Sequence, residues 1–106
     1  MMDTLEKNQR LNALYSIYQD LLTEKQRLYF NAYYLDDYSL QEVATLFQVS
    51  RNAVFDQLKK TEEHLVKFED VLKLNEQKEK RKAYLTSYFE TKDTNYLIKL
   101  KEMDEI

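Results

Sequence analysis

In 106 residues there is no glycine and no proline, and that double absence narrows what the chain can fold into more than any residue it contains. Glycine reaches positive φ without steric cost and lets a backbone approach an anion closely. A phosphate-cradling loop or a dinucleotide fingerprint needs it, so both are excluded. The favoured two-residue hairpin turns lose their usual residues as well. Runs rich in Leu, Lys, Glu and Gln, with no breaker among them, read as helices joined by short polar turns. The expected fold is all-α.

Other bounds follow. An apolar fraction of 43% is globular rather than disordered, and the length suits one domain. Cysteine is absent, which removes disulfides, thiolate metal sites and thiol nucleophiles and suits a reducing cytosol. Asp3, Glu6 and Lys7 follow Met1 too closely for a signal peptide. No apolar run is long enough to span a bilayer. A cytoplasmic location without membrane insertion is expected.

Periodicity divides the chain. A first helix is expected to start after Asp3 and reach about Leu22, with Leu11, Leu14, Tyr15, Tyr18, Leu21 and Leu22 forming one stripe. Thr23 and Gln26 have capping-box spacing, opening a second helix from Glu24 to about Leu35 that carries Leu28, Tyr29, Ala32, Tyr33 and Leu35. Asp36, Asp37 and Tyr38 make a turn. Ser39 and Glu42 repeat the capping spacing and open a short third helix with Leu40, Val43, Ala44 and Phe47 on one face. Gln48 and Val49 turn the chain, and Ser50 caps a fourth helix from Arg51.

Along that fourth helix Val54, Leu58, Thr61, Leu65, Phe68, Leu72 and Asn75 alternate by four and three residues. Such a heptad-like seam predicts a long helix packed against another, with Asn75 either setting its register or marking its end. Residues 82–89 continue it or follow a bend. The last break is expected at 91–95, capped by Asp93 or Thr94, before a helix bearing Leu97, Leu100 and Met103. The expected organisation is a head over 1–70 and a C-terminal helical extension over 71–106, packing on the head or on a partner subunit.

The short third helix, tight turn and start of the fourth match a helix-turn-helix. Ala44 is the small residue where the second helix crosses the first, Val49 the apolar residue turned inward, and Val54 the buried residue of the second helix. Gln48 stands where a glycine is usual, at a cost if its φ is positive. The alternative is an ordinary pair of core helices.

The runs Leu22-Thr-Glu-Lys-Gln-Arg27, Asp37-Tyr-Ser-Leu-Gln-Glu-Val-Ala44 and Val49-Ser-Arg-Asn-Ala-Val54 resemble the promoter-reading region four of sigma-70-type factors. The fuller run, with Tyr33-Tyr34-Leu-Asp-Asp-Tyr38-Ser-Leu and Ser50-Arg-Asn-Ala-Val-Phe-Asp56, more closely resembles the YlxM-type helix-turn-helix proteins over nearly the whole chain. Genes of that family usually lie beside those of the signal recognition particle GTPases. The resemblance implies a regulatory or accessory role in that targeting pathway.

On a groove-reading helix, Ser50, Arg51, Asn52, Phe55, Asp56 and Lys59 would project toward the bases, with Lys60 and Arg27 as further cations. Arg51 and Asn52 suit guanine and adenine edges, and Asp56 could accept a hydrogen bond from cytosine. Phe55 is odd there and suggests a protein contact or an inward lean. Residues 23–66 hold five basic and seven acidic side chains, a net charge of −2, which is poor for phosphate neutralisation. Residues 71–92 hold six basic against three acidic, a net +3. There the patch Lys78, Lys80, Arg81 and Lys82 either meets RNA phosphates or an acidic protein, or is a solvated face stitched by opposite charges.

The aromatic residues of the second helix, Tyr29, Phe30, Tyr33, Tyr34 and the nearby Tyr38, are expected to pack against Phe47 and the first helix, with some left for an oligomer surface. His64 beside Glu62 and Glu63 reads as a solvated residue, not a metal ligand or a catalytic base. No cofactor and no enzymatic chemistry are expected. The leading expectation is a regulatory DNA-binding homodimer, linked by resemblance to the signal recognition particle. Its rival is an accessory module binding a protein or RNA of that particle without reading DNA.

Overall fold

The computed structural model describes residues 4–105, and every regular element among them is helical. The chain divides after Leu72 into two units, each taken here by itself.

In the first unit α1 spans Thr4–Tyr18; Asp3, where its start is expected, lies outside the described residues. The helix ends earlier than its pattern predicts, because Gln19–Leu21 tighten into a 3₁₀ turn closed by Leu22 N–H donating to the Gln19 carbonyl at 3.1 Å. The smaller residue count per turn rotates successive side chains further. Leu21 is consequently exposed and drops out of the stripe, while Leu22 is buried.

Helix α2, Glu24–Phe30, opens on a complete capping box. The Thr23 hydroxyl accepts from Gln26 N–H at 3.1 Å, and the Gln26 carboxamide oxygen accepts from Thr23 N–H at 3.0 Å. The helix then widens into a π turn over Asn31–Leu35, where Asp36 N–H reaches back to the Asn31 carbonyl at 2.9 Å. Gln26, Tyr29, Phe30 and Ala32 hold the buried side. Leu28 and Leu35, expected with the apolar residues of this helix, are exposed instead.

Ser39 and Glu42 cap α3, Leu40–Phe47, by the same reciprocal bonds at 3.1 and 3.0 Å. Helix α4 runs Arg51–Leu72, its first turn capped by Ser50 Oγ accepting from Ala53 N–H at 3.0 Å. Two apolar clusters hold the four helices together. Leu11, Leu14, Tyr15, Tyr18, Leu22, Phe30 and Leu65 make one; Tyr29, Ala32, Val43, Ala44, Val54 and Leu58 make the other. Tyr15 stacks on Phe30 at 4.1 Å between ring centroids, and Tyr29 meets Phe47 at 4.8 Å, as the aromatic spacing predicts. Each fully buried side chain of this size contributes about 1.5–3 kcal/mol.

The expected seam of α4 holds through Val54, Leu58, Thr61 and Leu65, all buried, and Phe68, which is half-buried. It then departs from the pattern. Glu69 takes the next buried position, its carboxylate accepting from the Tyr18 hydroxyl at 2.6 Å, while Leu72 is exposed. Lys73 enters the left-handed region at φ 55° and ends the helix, so Asn75 is not on it.

The second unit is a helical hairpin. Helix α5 spans Leu74–Thr91 and therefore includes 82–89; α6 spans Asn95–Met103 and packs against it. At the connection Lys92 has φ 60° and the Asp93 carboxylate accepts from Asn95 N–H at 2.9 Å, which makes Asp93 the capping side chain. The Lys99 ammonium lies 5.8 Å from the ring centres of both Tyr84 and Tyr96. No residue of α5 or α6 is buried. Among the described residues no helix is long and apolar enough to cross a membrane.

Candidate nucleic-acid interface

The geometry of the helix-turn-helix is set by three apolar contacts and one strained joint. Ala44 and Val54 are buried where α3 and α4 cross, and Val49 is half-buried beneath the turn. Gln48 adopts φ 57° and ψ 46°, the left-handed conformation that the missing glycine would have taken. A side chain there costs about 1–2 kcal/mol. The turn is closed by Val49 N–H donating to the Ala44 carbonyl at 3.0 Å and Gln48 N–H to Thr45 at 3.3 Å.

Successive residues of an α-helix are separated by about 100°, so the side of α4 opposite Val54 and Leu58 carries Asn52, Asp56 and Lys59, all exposed. Arg51 is exposed at the first helical position, and the hydroxyl of Ser50 is taken up in capping. The other candidates fall elsewhere. Lys60 is exposed one helical step beyond Lys59, near the opposite edge of that side. Phe55 is 53% exposed and lines a cavity of about 370 Å³ with Tyr33, Tyr34, Leu40, Leu58 and Glu62, beside Lys7 and Asn8 of α1. Arg27 is half-buried, its guanidinium donating to the Leu22 carbonyl at 2.7 Å and to Gln19 at 3.4 Å. It staples the 3₁₀ turn to α2.

Charge around the motif is mixed. Glu42 is the one charged residue of α3, and exposed Asp36 and Asp37 precede it. The Ser39 backbone N–H, and then its side chain, hold the Glu42 carboxyl below the usual carboxylate range. Behind Phe55, Glu62 accepts from the Tyr34 hydroxyl and pairs with Lys7 at 3.4 Å. Burial, reinforced by that carboxylate, raises the Tyr34 hydroxyl well above the ordinary tyrosine range and keeps it a donor. His64 Nδ1 lies 3.1 Å from the Gln26 amide nitrogen. Among the described residues no set of three or more His, Cys, Asp and Glu could hold a metal ion.

In the second unit Lys78, Lys80, Arg81 and Lys82 are all exposed on α5. Lys80 meets Glu76 at 3.8 Å, an exposed pair of little energetic weight. The groove around Phe55 was only half visible in the sequence. Phe55 stood out as an apolar residue among polar ones, but the π turn beside Tyr33 and Tyr34 has no sequence signature in a chain whose propensities are helical throughout.

A family model described as "Putative helix-turn-helix protein, YlxM / p13 like" matches residues 5–106. The chain belongs to this family. A UPF0122 protein of Limosilactobacillus fermentum is 47% identical, covering 85% of this chain and 86% of its own length. One from an Exiguobacterium species is 54% identical over 77% of each chain, and one from Halalkalibacterium halodurans 49% identical over 84% of this chain and 82% of its own. The match extends past the helix-turn-helix, so the YlxM / p13-like family is described by the whole chain and not by its motif alone.

Proposed function

We propose that the protein is a non-enzymatic, cytoplasmic regulator that reads duplex DNA as a homodimer. The single observation behind this reading is the start of α4, where Arg51 stands exposed at the first helical position and Asn52, Asp56 and Lys59 stand exposed on the side opposite Val54 and Leu58, which lock the helix into the head. Arg and Asn are the side chains that pair in two-point fashion with guanine and adenine in the major groove. Lys59 and Lys60 supply phosphate contacts, and Asp56 selects against mispositioned phosphate. Arg27, committed to the 3₁₀ turn, takes no part. A dimer would present two such helices to half-sites one duplex turn apart.

Enrichment of binders from a random duplex library tests this. A recurring half-site should emerge, and Arg51→Ala should cost about 1–3 kcal/mol at that site and relax its specificity. A library that yields no shared motif at low salt overturns the reading.

A second reading is favoured by the Phe55 groove and by the acidic entrance to α3. In it the head is a docking module, and the family resemblance points to a protein or RNA component of the signal recognition particle. Lys78, Lys80, Arg81 and Lys82 would then meet RNA phosphates. Phe55→Ser abolishing association with the particle, while leaving duplex DNA binding unchanged, would favour it. Charge reversal at Lys80, Arg81 and Lys82 separates an RNA contact from a protein one.

A further inference from the structure

The C-terminal hairpin carries more apolar side chain than its own packing uses. Its inner seam is made by Tyr84 and Tyr88 of α5 with Tyr96, Leu100 and Met103 of α6, all half-buried. One position further along each helix stand Leu85, Phe89 and Leu97, all exposed, with Phe89 at 64%. The two helices are joined by three residues and packed side by side, hence antiparallel. An equal rotational offset from the inner seam therefore places all three on the same side of the hairpin. A pair of helices this short, with no buried residue, lacks the core that a free-standing unit needs, and association is a usual remedy.

Charge says what completes it. The α5 half of this side continues from Leu85 toward the N-terminus as Lys82 and Lys78, and the α6 half continues from Leu97 as Lys101 and Asp104. The stretch 78–82 has a net charge of +3 and the stretch 102–105 of −3. Among the described residues Lys78, Lys82, Asp104 and Glu105 make no ion pair. When two identical hairpins meet on this side about a two-fold axis running along the helices, each α5 lies antiparallel to the partner's α6. Leu85 and Phe89 then face Leu97 of the partner subunit, and Lys78 and Lys82 face the acidic end of the partner's helix.

We infer that the side of the α5–α6 hairpin formed by Leu85, Phe89 and Leu97 is a self-association surface that takes a second copy of this chain, closing a four-helix bundle. The inference rests on the dimeric reading above and supplies its interface.

Sedimentation of the full chain without DNA tests this separately from any DNA reading. The wild-type protein should be a dimer at micromolar concentration. Phe89→Glu or Leu85→Glu should raise the dissociation constant about thirtyfold or more, as loss of a central apolar anchor does, with the helical signal of the head retained. Lys82→Glu and Asp104→Lys should each weaken the dimer, and the double variant should recover most of the loss, because two contacting charges couple. A wild-type monomer at high micromolar concentration overturns the inference. So does a Phe89→Glu dimer of unchanged affinity, or a double charge exchange that fails to recover. If Phe89→Glu loses helix as well, the charge exchange decides.

Discussion

Helices α1 and α5 are of similar length and both are rich in good helix formers, yet α1 buries Leu11, Leu14, Tyr15 and Tyr18 while α5 buries nothing. The two units divide along the same line. Helix propensity shapes both, but only the head adds a core, and in water most helical stability comes from packing an apolar face. The hairpin has the shape of a domain without the energetics of one.

The comparison can be broken most decisively by cutting the chain after Leu72. The head, residues 1–72, should keep a cooperative thermal transition by circular dichroism, and the isolated hairpin, residues 73–106, should lose most of its helix at low concentration. A cooperative melt of the isolated monomeric hairpin would end the distinction. Next in size is one substitution made in both places. Phe30→Ala, at a fully buried ring stacked on Tyr15, should cost about 3–5 kcal/mol in urea unfolding of the head. Phe89→Ala should change that same unfolding by no more than about 0.5 kcal/mol.

Caps give a smaller effect. Ser39→Ala removes the side-chain half of the α3 capping box, leaving the backbone N–H that Glu42 accepts from, and should cost about 1 kcal/mol at neutral pH. The Ser39 backbone N–H holds the Glu42 carboxyl below the ordinary carboxylate range in the folded state. The stabilisation the carboxylate brings is therefore present above the ordinary carboxylate range and is lost as pH falls through the lowered folded value. The gap between wild type and Glu42→Ala, which removes the carboxylate itself, should narrow over that acid range. The smallest effect compares joints. Gln48→Gly in the head and Lys92→Gly in the hairpin both relieve a left-handed residue, yet only the first should raise the melting temperature of the head, by an amount worth about 1 kcal/mol or less.

What was legible in the sequence was whatever short-range chemistry decides. Thr23 with Gln26, Ser39 with Glu42, and Ser50 each announce a helix start because a side-chain oxygen meets a backbone donor three residues away. The small and apolar positions Ala44, Val49 and Val54 announced the crossing of α3 and α4 because two adjacent helices joined by a tight turn need a small residue and inward apolar residues at fixed spacing. Helix ends were harder. Lys73 and Lys92 stop helices although lysine is a good helix former, and with no glycine in the chain nothing marks them. The rotation of Leu21 out of the stripe and the π turn over Asn31–Leu35 depend on how the backbone closes, which periodicity does not record. On α4, Asn52, Asp56 and Lys59 are exposed on the side away from Val54 and Leu58, as helical spacing alone implies, and Arg51 is exposed because it begins the helix. The commitment of Arg27 to two carbonyls and the groove around Phe55 arise from contacts between elements, beyond the reach of any one stretch of sequence.

Gln48 has a mechanical consequence. A glycine at that joint could slide across a wide stretch of φ and ψ, and α3 and α4 could then flex against each other under load. A residue with a β-carbon in the left-handed region sits in a narrow well with steep walls. The joint acts as a detent more than a hinge. Whatever α4 meets, it meets at one angle, and the partner must fit that angle ready-made or do the bending itself.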